Sequence, residues 1–414
     1  MKPYRAFIFD SFTLDEKEGK IDFHYSLDDE VRFTETLTFP SHLPTPLGRG
    51  GSLEAVLFAL HLIGGVSYYK TCCPKRIEVR SGTLTEEQVQ FWNTVYEKGL
   101  GEFFFKNQID FHNLIQFPTG NARRAPHTAH PISRTRRVLV LMGGGKDSIV
   151  TMELLRKEGY DLTLFRMNSD PLIEEIARIA GLPLINVERS IDPLLLELNA
   201  QGALNGHIPI TAYLSFLSII VAKLHGFDAI ALSCERSASE GNVEYLGRTI
   251  NHQWSKSEEF ERLFDAYVRR FVGDHIEILN PLRAMSETEI TEVFTKFPQY
   301  FRSFTSCNKH WRKWGDRSDR RFCGECPKCA FVFCLLAAYL PKKTLLAIFE
   351  KNLFEDPALI PTYRQLLGIE GTKPFECVGT PPETRNAFRR IAEQKEFDSA
   401  PVLQMFLTHS SALV

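Results

Sequence analysis

An apolar run from Val138 to Met142 passes straight into Gly143-Gly144-Gly145-Lys146-Asp147-Ser148 and then into the helical pattern IVTMELLRKEG. A buried strand that ends on glycines and opens a helix gathers bare backbone N–H groups, a lysine and the positive end of a helix dipole around one point, which attracts phosphate. The Walker A loop needs glycine where this chain has Val140, and Ser or Thr where it has Asp147, so an ordinary nucleotide-hydrolase loop is disfavoured. Strand and helix patterns go on alternating through LTLFRM, PLIEEIARIAG, LINVE, a helix near Ala212 to Leu224 and a strand from Asp228 to Leu232. Such alternation folds as a parallel sheet with helices on its faces, so the expected class is α/β. Lys146 and Asp147 are expected on an exposed loop, where they meet phosphate and Mg²⁺.

The chain has 414 residues, too many for one ordinary core, and divides by pattern into four parts. Residues 1–118 mix strand-like alternation over Lys20 to Phe39 with helix candidates at Ser52 to Leu62, after a Gly48–Gly51 turn, and at Thr85 to Lys98, and read as an α+β module. Residues 119–136 are polar and basic and read as a linker. The nucleotide-binding domain is expected over 137–300, and a Cys-rich, helical region over 301–414. A net charge of −2 supplies no global field for nucleic acid, and no nucleic-acid partner is expected. The longest apolar stretch, Ile208 to Val221, is broken by polar residues and too short for a membrane span, so it reads as a buried helix. With no export signal, a cytoplasmic protein without membrane contact is expected.

Nine cysteines in such a chain point to metal, chemistry or packing rather than disulfides. Cys323-Gly-Glu-Cys326-Pro-Lys-Cys329, with Cys307 upstream, offers four soft ligands that can close a tetrahedron around a structural Zn²⁺. Cys334 lies in the apolar run FVFCLLAAYL and reads as core. Three further stretches carry polar side chains that packing does not require: HIPITA (207–212), SCERSASEGN with NHQWSKS (233–242 and 251–257), and GTKPFECVGTPPETRNAFRR (371–390). SCERSASEGN follows a strand, and ligands of parallel sheets gather at the carboxyl ends of strands.

GGGKDS resembles the SGGxDS motif of the PP-loop ATP pyrophosphatases, with Gly143 in place of the usual serine. The resemblance implies an adenine-nucleotide alpha hydrolase-like domain. It also implies ATP as co-substrate with Mg²⁺, held by Gly143, Gly144, Gly145, Lys146, Asp147 and Ser148. Adenine would lie near the end of the second strand, at Met167 and Asn168. The pre-queuosine nitrile synthases of that group carry a comparable CGxCxxC knuckle. Taken in order, GGGKDS, NGHIPITA, SCERSASEGN, NHQWSKS, CGECPKCAFVF and GTKPFECVGT resemble the UDP-N-acetyl-muramoyl-L-alanyl-L-glutamate epimerases over nearly the whole chain, the N-terminal module included. What that implies is inversion of the terminal L-Glu of a UDP-linked muramoyl dipeptide, with ATP consumed to AMP and diphosphate, in peptidoglycan precursor synthesis.

The two resemblances meet in one piece of chemistry. A free carboxylate makes the neighbouring Cα–H a very weak acid, and adenylation removes that charge and creates an electron sink. Each pKa unit gained at Cα is worth about 1.4 kcal/mol. Inversion then needs a base and an acid near Cα. Cys234, Glu235, Glu240, His252, Glu376 and Cys377 are the available groups, with Cys234 and Cys377 an attractive thiol pair by analogy with cofactor-independent glutamate racemases. Small buried core thiols are the alternative for both. Two other functions compete: a PP-loop amide or nitrile synthase acting on a nucleoside precursor, and a zinc-stabilised nucleic-acid-binding module built on the basic stretch Arg312 to Arg321.

Overall fold

The computed structural model describes residues 4–40, 51–120, 136–273, 276–312 and 316–409. The polar 119–136 stretch and the Gly48–Gly51 turn therefore lie largely outside the described residues. Among the described residues eleven strands run in chain order as β1 (Ala6–Asp15), β2 (Lys20–Leu27), β3 (Val31–Thr38), β4 (Arg76–Val79), β5 (Arg137–Leu141), β6 (Asp161–Met167), β7 (Leu184–Ser190), β8 (Ala229–Ala231), β9 (Val243–Tyr245), β10 (Arg248–Ile250) and β11 (Glu277–Leu279). β9 and β10 form a small hairpin, and the other nine make one sheet in the order β11-β8-β5-β6-β7-β3-β2-β1-β4.

The expected α/β class holds. β11, β8, β5, β6 and β7 are all parallel, whereas β3, β2 and β1 pair antiparallel. The alternation over Lys20 to Phe39 thus resolves into a hairpin. The antiparallel half joins the parallel half where β3 meets β7, through Thr36 to Thr38. A buried ion pair lies at this seam: Arg189 Nη2 donates to Glu35 Oε2 at 2.6 Å, and Tyr213 donates its hydroxyl to Glu35 Oε1 at 2.7 Å.

Successive strand side chains point to opposite faces, and both faces are covered, which is why VLVLM reads as an unbroken apolar run. Leu139 joins a core with the N-terminal strands and the helix Ile210–His225. Val138 and Val140 join another with the C-terminal helices, including Pro327–Ala337 and Pro381–Gln394. Cys334 is fully buried in that second core. The helix Glu86–Gly99 starts as its sequence suggests, with Thr85 and Gln88 closing a capping box. Among the described residues, no helix is long and apolar enough to cross a membrane.

Candidate active site

β5 delivers the glycine loop to the carboxyl edge of the sheet, and the helix Lys146–Lys157 begins there with Gly145 at its cap position and no capping side chain. Gly144 has φ +79°, and a Cβ on it would sit 2.6 Å from Ile173 and 3.1 Å from Trp311, so glycine alone fits. At Gly143 a Cβ would meet nothing within 4 Å. The departure from serine there removes a hydroxyl without closing the space. The C-terminal region backs the loop, since Thr305 N donates to Gly144 O at 2.9 Å.

Lys146 corrects the expectation of an exposed lysine. It is the first helical residue, its side chain is 0% exposed, and it is ion-paired with Asp147 and with Glu287 from the helix Glu287–Phe294. Lys328 Nζ stands 3.7 Å from the other Glu287 oxygen. Burial alone would strip the charge from Lys146, but its two carboxylate partners outweigh it and hold the ammonium firmly protonated. Burial pushes Glu287 up to about 7, against the pull of Lys146. Asp147, also disfavoured by burial, is nevertheless held below the usual carboxylate range by Lys146 and Lys328. Ser148 is buried and turns its hydroxyl back to Gly145 O at 3.0 Å. Met167 ends β6, and Asn168 follows with φ 62°, its Oδ1 accepting from Arg189 N at 2.8 Å. Nearby, the Arg166 guanidinium lies 4.7 Å from the Trp311 ring centre.

The acid–base candidates do not stay equal. Cys377 Sγ accepts from Lys256 Nζ at 3.5 Å and lies 3.9 Å from His252 Nε2. Burial opposes its ionisation, yet Lys256 and His252 bring the thiol down to about 6. His252 donates from Nδ1 to Glu102; burial works against its charge, but Cys377 and Glu102 raise it to about 9. Cys234 is different, because burial pushes its thiol up to about 12 and the cations Lys256 and Arg283 do not compensate. Glu235 is buried, with Oε2 free of any hydrogen-bond partner among the described residues. Glu240 is exposed, and its charge favours the ammonium of Lys373. Glu376 accepts from Lys328 N at 3.0 Å and is raised by burial.

One cation joins the loop to these groups. The charge on Lys256, penalised by burial, is favoured by Cys377, Glu235, Cys234 and Asp147 together. Lys256, Lys328 and Lys373 stood inside the motif segments NHQWSKS, CGECPKC and GTKPFECVGT without being singled out, and a buried lysine is the signal that sequence alone hides. Lys373 Nζ is buried without a hydrogen-bond partner among the described residues, and burial lowers its hold on the proton. Glu287 and Glu102 gave no signal at all. A cleft of about 770 Å³, lined by Gly101, Phe111, Arg248, Asn251, Trp254 and Arg262, has none of these loop or acid–base groups in its lining.

Cys307, Cys323, Cys326 and Cys329 converge with all four sulfurs within 4.8 Å of one another. Cys307 and Cys326 are 4.0 Å apart and Cys323 and Cys329 3.7 Å, too long for a disulfide near 2.05 Å. A zinc ion held at about 2.3 Å sets tetrahedral sulfurs about 3.8 Å apart, so the donor set fits that metal.

Comparison with known proteins places this architecture. Residues 1–278 match the model of the MurL N-terminal domain, and residues 303–413 that of the MurL C-terminal domain. The chain belongs to the MurL family. It is 39% identical to the UDP-N-acetyl-alpha-D-muramoyl-L-alanyl-L-glutamate epimerase of Salinispora tropica, over 97% of this chain and 88% of that protein. The corresponding epimerase of Xanthomonas oryzae pv. oryzae is 38% identical over 97% of this chain and 89% of its own length. MurL membership makes the chain an epimerase and bears out the resemblance read from its motifs. A weaker similarity, 23% over 57% of this chain and 55% of the other, links this MurL protein to 7-cyano-7-deazaguanine synthase 2 of Sulfurisphaera tokodaii.

Proposed function

We propose that the chain inverts the terminal L-Glu of UDP-N-acetyl-muramoyl-L-alanyl-L-glutamate to D-Glu, after ATP has adenylated the carboxylate beside the reacting Cα with release of diphosphate, and that water then cleaves the acyl-adenylate to the D-Glu carboxylate and AMP. The observation that carries this reading is the position of Lys256, which feels both Asp147 of the glycine loop and the thiol Cys377. A nucleotide loop and a set of proton-transfer groups therefore share one electrostatic site. The backbone N–H groups of Gly143, Gly144, Gly145 and Ser148 would take the phosphates, Asp147 would hold Mg²⁺, and Met167 and Asn168 stand where adenine would lie. Lys146 organises Asp147 and Glu287 and contributes positive charge beneath the phosphates. Adenylation exchanges a carboxylate for a neutral, electron-withdrawing acyl group, which brings the Cα proton within reach of a thiolate or an amine.

Cys307, Cys323, Cys326 and Cys329 would hold a structural zinc, which would fasten Cys307 to the Cys323–Cys329 turn and supply no chemistry. Similarity to 7-cyano-7-deazaguanine synthases keeps an amide- or nitrile-forming reaction as the second reading. Labelled diphosphate and the UDP-muramoyl dipeptide separate the two. Exchange of label into ATP that depends on the dipeptide and ignores ammonia supports epimerisation. Product formation that requires ammonia would replace it with the synthase reading.

A further inference from the structure

Glu102 belongs to the helix Gly101–Lys106, far in sequence from every segment of the site, yet its carboxylate is 4% exposed and faces into it. One oxygen accepts from His252 Nδ1 and the other from Lys106. Burial disfavours the carboxylate charge, but these partners pull Glu102 down to about 2. The other His252 nitrogen points at Cys377 Sγ, 3.9 Å away, and Lys256 approaches the same sulfur at 3.5 Å. A carboxylate that fixes an imidazole, which in turn holds its charge against a sulfur, is the arrangement that keeps a cysteine ionised. His207 lies beside this line, with Nδ1 3.6 Å from Glu102. Glu102, His207 and His252 could in principle cage a metal. The direct N–H···O contact between Glu102 and His252, and the positive charge of Lys106 and Lys70 bearing on His207, favour a proton-holding ion pair instead.

We propose that Cys377, held as a thiolate by Lys256 and by a Glu102–His252 relay, is the base that takes the Cα proton on one face of the activated glutamyl unit. The proposal rests on the epimerase reading above and names the group that acts within it. The Cα–H bond breaks, an S–H bond forms on Cys377, and the electron pair enters the adenylated carboxyl group. A second acid on the opposite face then returns a proton to Cα as that electron pair comes back, and Lys373, whose buried Nζ has no hydrogen-bond partner among the described residues, is the candidate donor. Glu102 and His252 are positioning residues, so the N-terminal module carries part of the catalytic apparatus. The groups that face the sulfur and its partner are Lys256, Lys328, Lys373, Glu376, Glu102 and His207.

Two experiments on the full chain test this. Cys377→Ala, checked for folding by thermal melting, is incubated with ATP in heavy water and either epimer of the UDP-muramoyl dipeptide. Loss of Cα exchange by about 10²-fold or more from one epimer, with exchange of the other retained, is expected for a base that serves one face. Exchange kept at both epimers, or lost equally from both, overturns the assignment. Alkylation of Cys377 by iodoacetamide, followed by mass mapping against pH, reads the thiolate without any turnover. In Glu102→Gln its midpoint should move up by about one pH unit. An unmoved midpoint, or a metal ion lost along with Glu102, overturns the relay. If wild-type protein shows no ATP-dependent exchange with either epimer, the adenylation reading fails, while the alkylation profile still decides the relay.

Discussion

Lys146 shows how a motif can name a residue and still misplace it. Sequence assigns it to a phosphate loop, and nothing in GGGKDS foretells that its ammonium is sealed against Glu287, 141 positions away. Lys146→Ala should therefore do two things: abolish AMP formation, and destabilise the protein by about 3–5 kcal/mol, because buried Glu287 loses its ammonium partner and must take up a proton or stay charged in the interior. Denaturant unfolding measures the second. Adding Glu287→Gln should restore most of the stability and none of the turnover, whereas an unstable double variant would contradict the pairing. The Cys377–His252 pair makes a pH prediction. The thiol, lowered to about 6, is ionised above that pH, and the imidazole, raised to about 9, is charged below it. kcat/KM should climb as pH rises through about 6 and decline beyond about 9. A profile still flat at pH 5 would show that no thiolate is required. Cys234 and Cys377 are indistinguishable as letters, and only their surroundings separate a buried thiol from an ionised one.

Among the elements, those with long apolar periodicity were legible: β5, β6, β7, the helices between them and the capped helix Glu86–Gly99. β11 has three residues and β4 four, too short for any period to register, and β1 begins as an unalternating apolar run. The β3–β7 seam was also invisible, because pairing partners 150 residues apart leave no local trace. Glu35→Ala should destabilise the chain by about 3–5 kcal/mol through the stranded Arg189. A melting midpoint equal to the parent protein's would show that the seam bears no load. The cysteine knuckle was legible from spacing alone. Elemental analysis should find one zinc per chain, and Cys326→Ser should lose it and lower thermal stability rather than alter kcat selectively. A metal-free preparation of full stability would assign the four thiols to something else.

At the scale of the whole molecule, one sheet carries the glycine loop at the end of β5, third from one edge, and the N-terminal strands at its far side, with C-terminal helices closing one face. Glu102 comes from the first part of the chain, Lys146 and His252 from the middle and Cys377 from the end, so the site exists only in the assembled fold. The order of motifs revealed the family, but the meeting of Glu102, His252 and Cys377 depends on long-range packing that no single segment encodes. The central claim is that ATP activates the carboxylate so that Cα can lose its proton. The protein should be incubated with UDP-N-acetyl-muramoyl-L-alanyl-L-glutamate and Mg²⁺ in heavy water, with and without ATP, and the glutamate analysed for configuration and for label at Cα. D-Glu deuterated at Cα, with AMP and diphosphate, is expected only where ATP is present and regardless of ammonia; inversion at full rate without ATP would show that the carboxylate needs no activation.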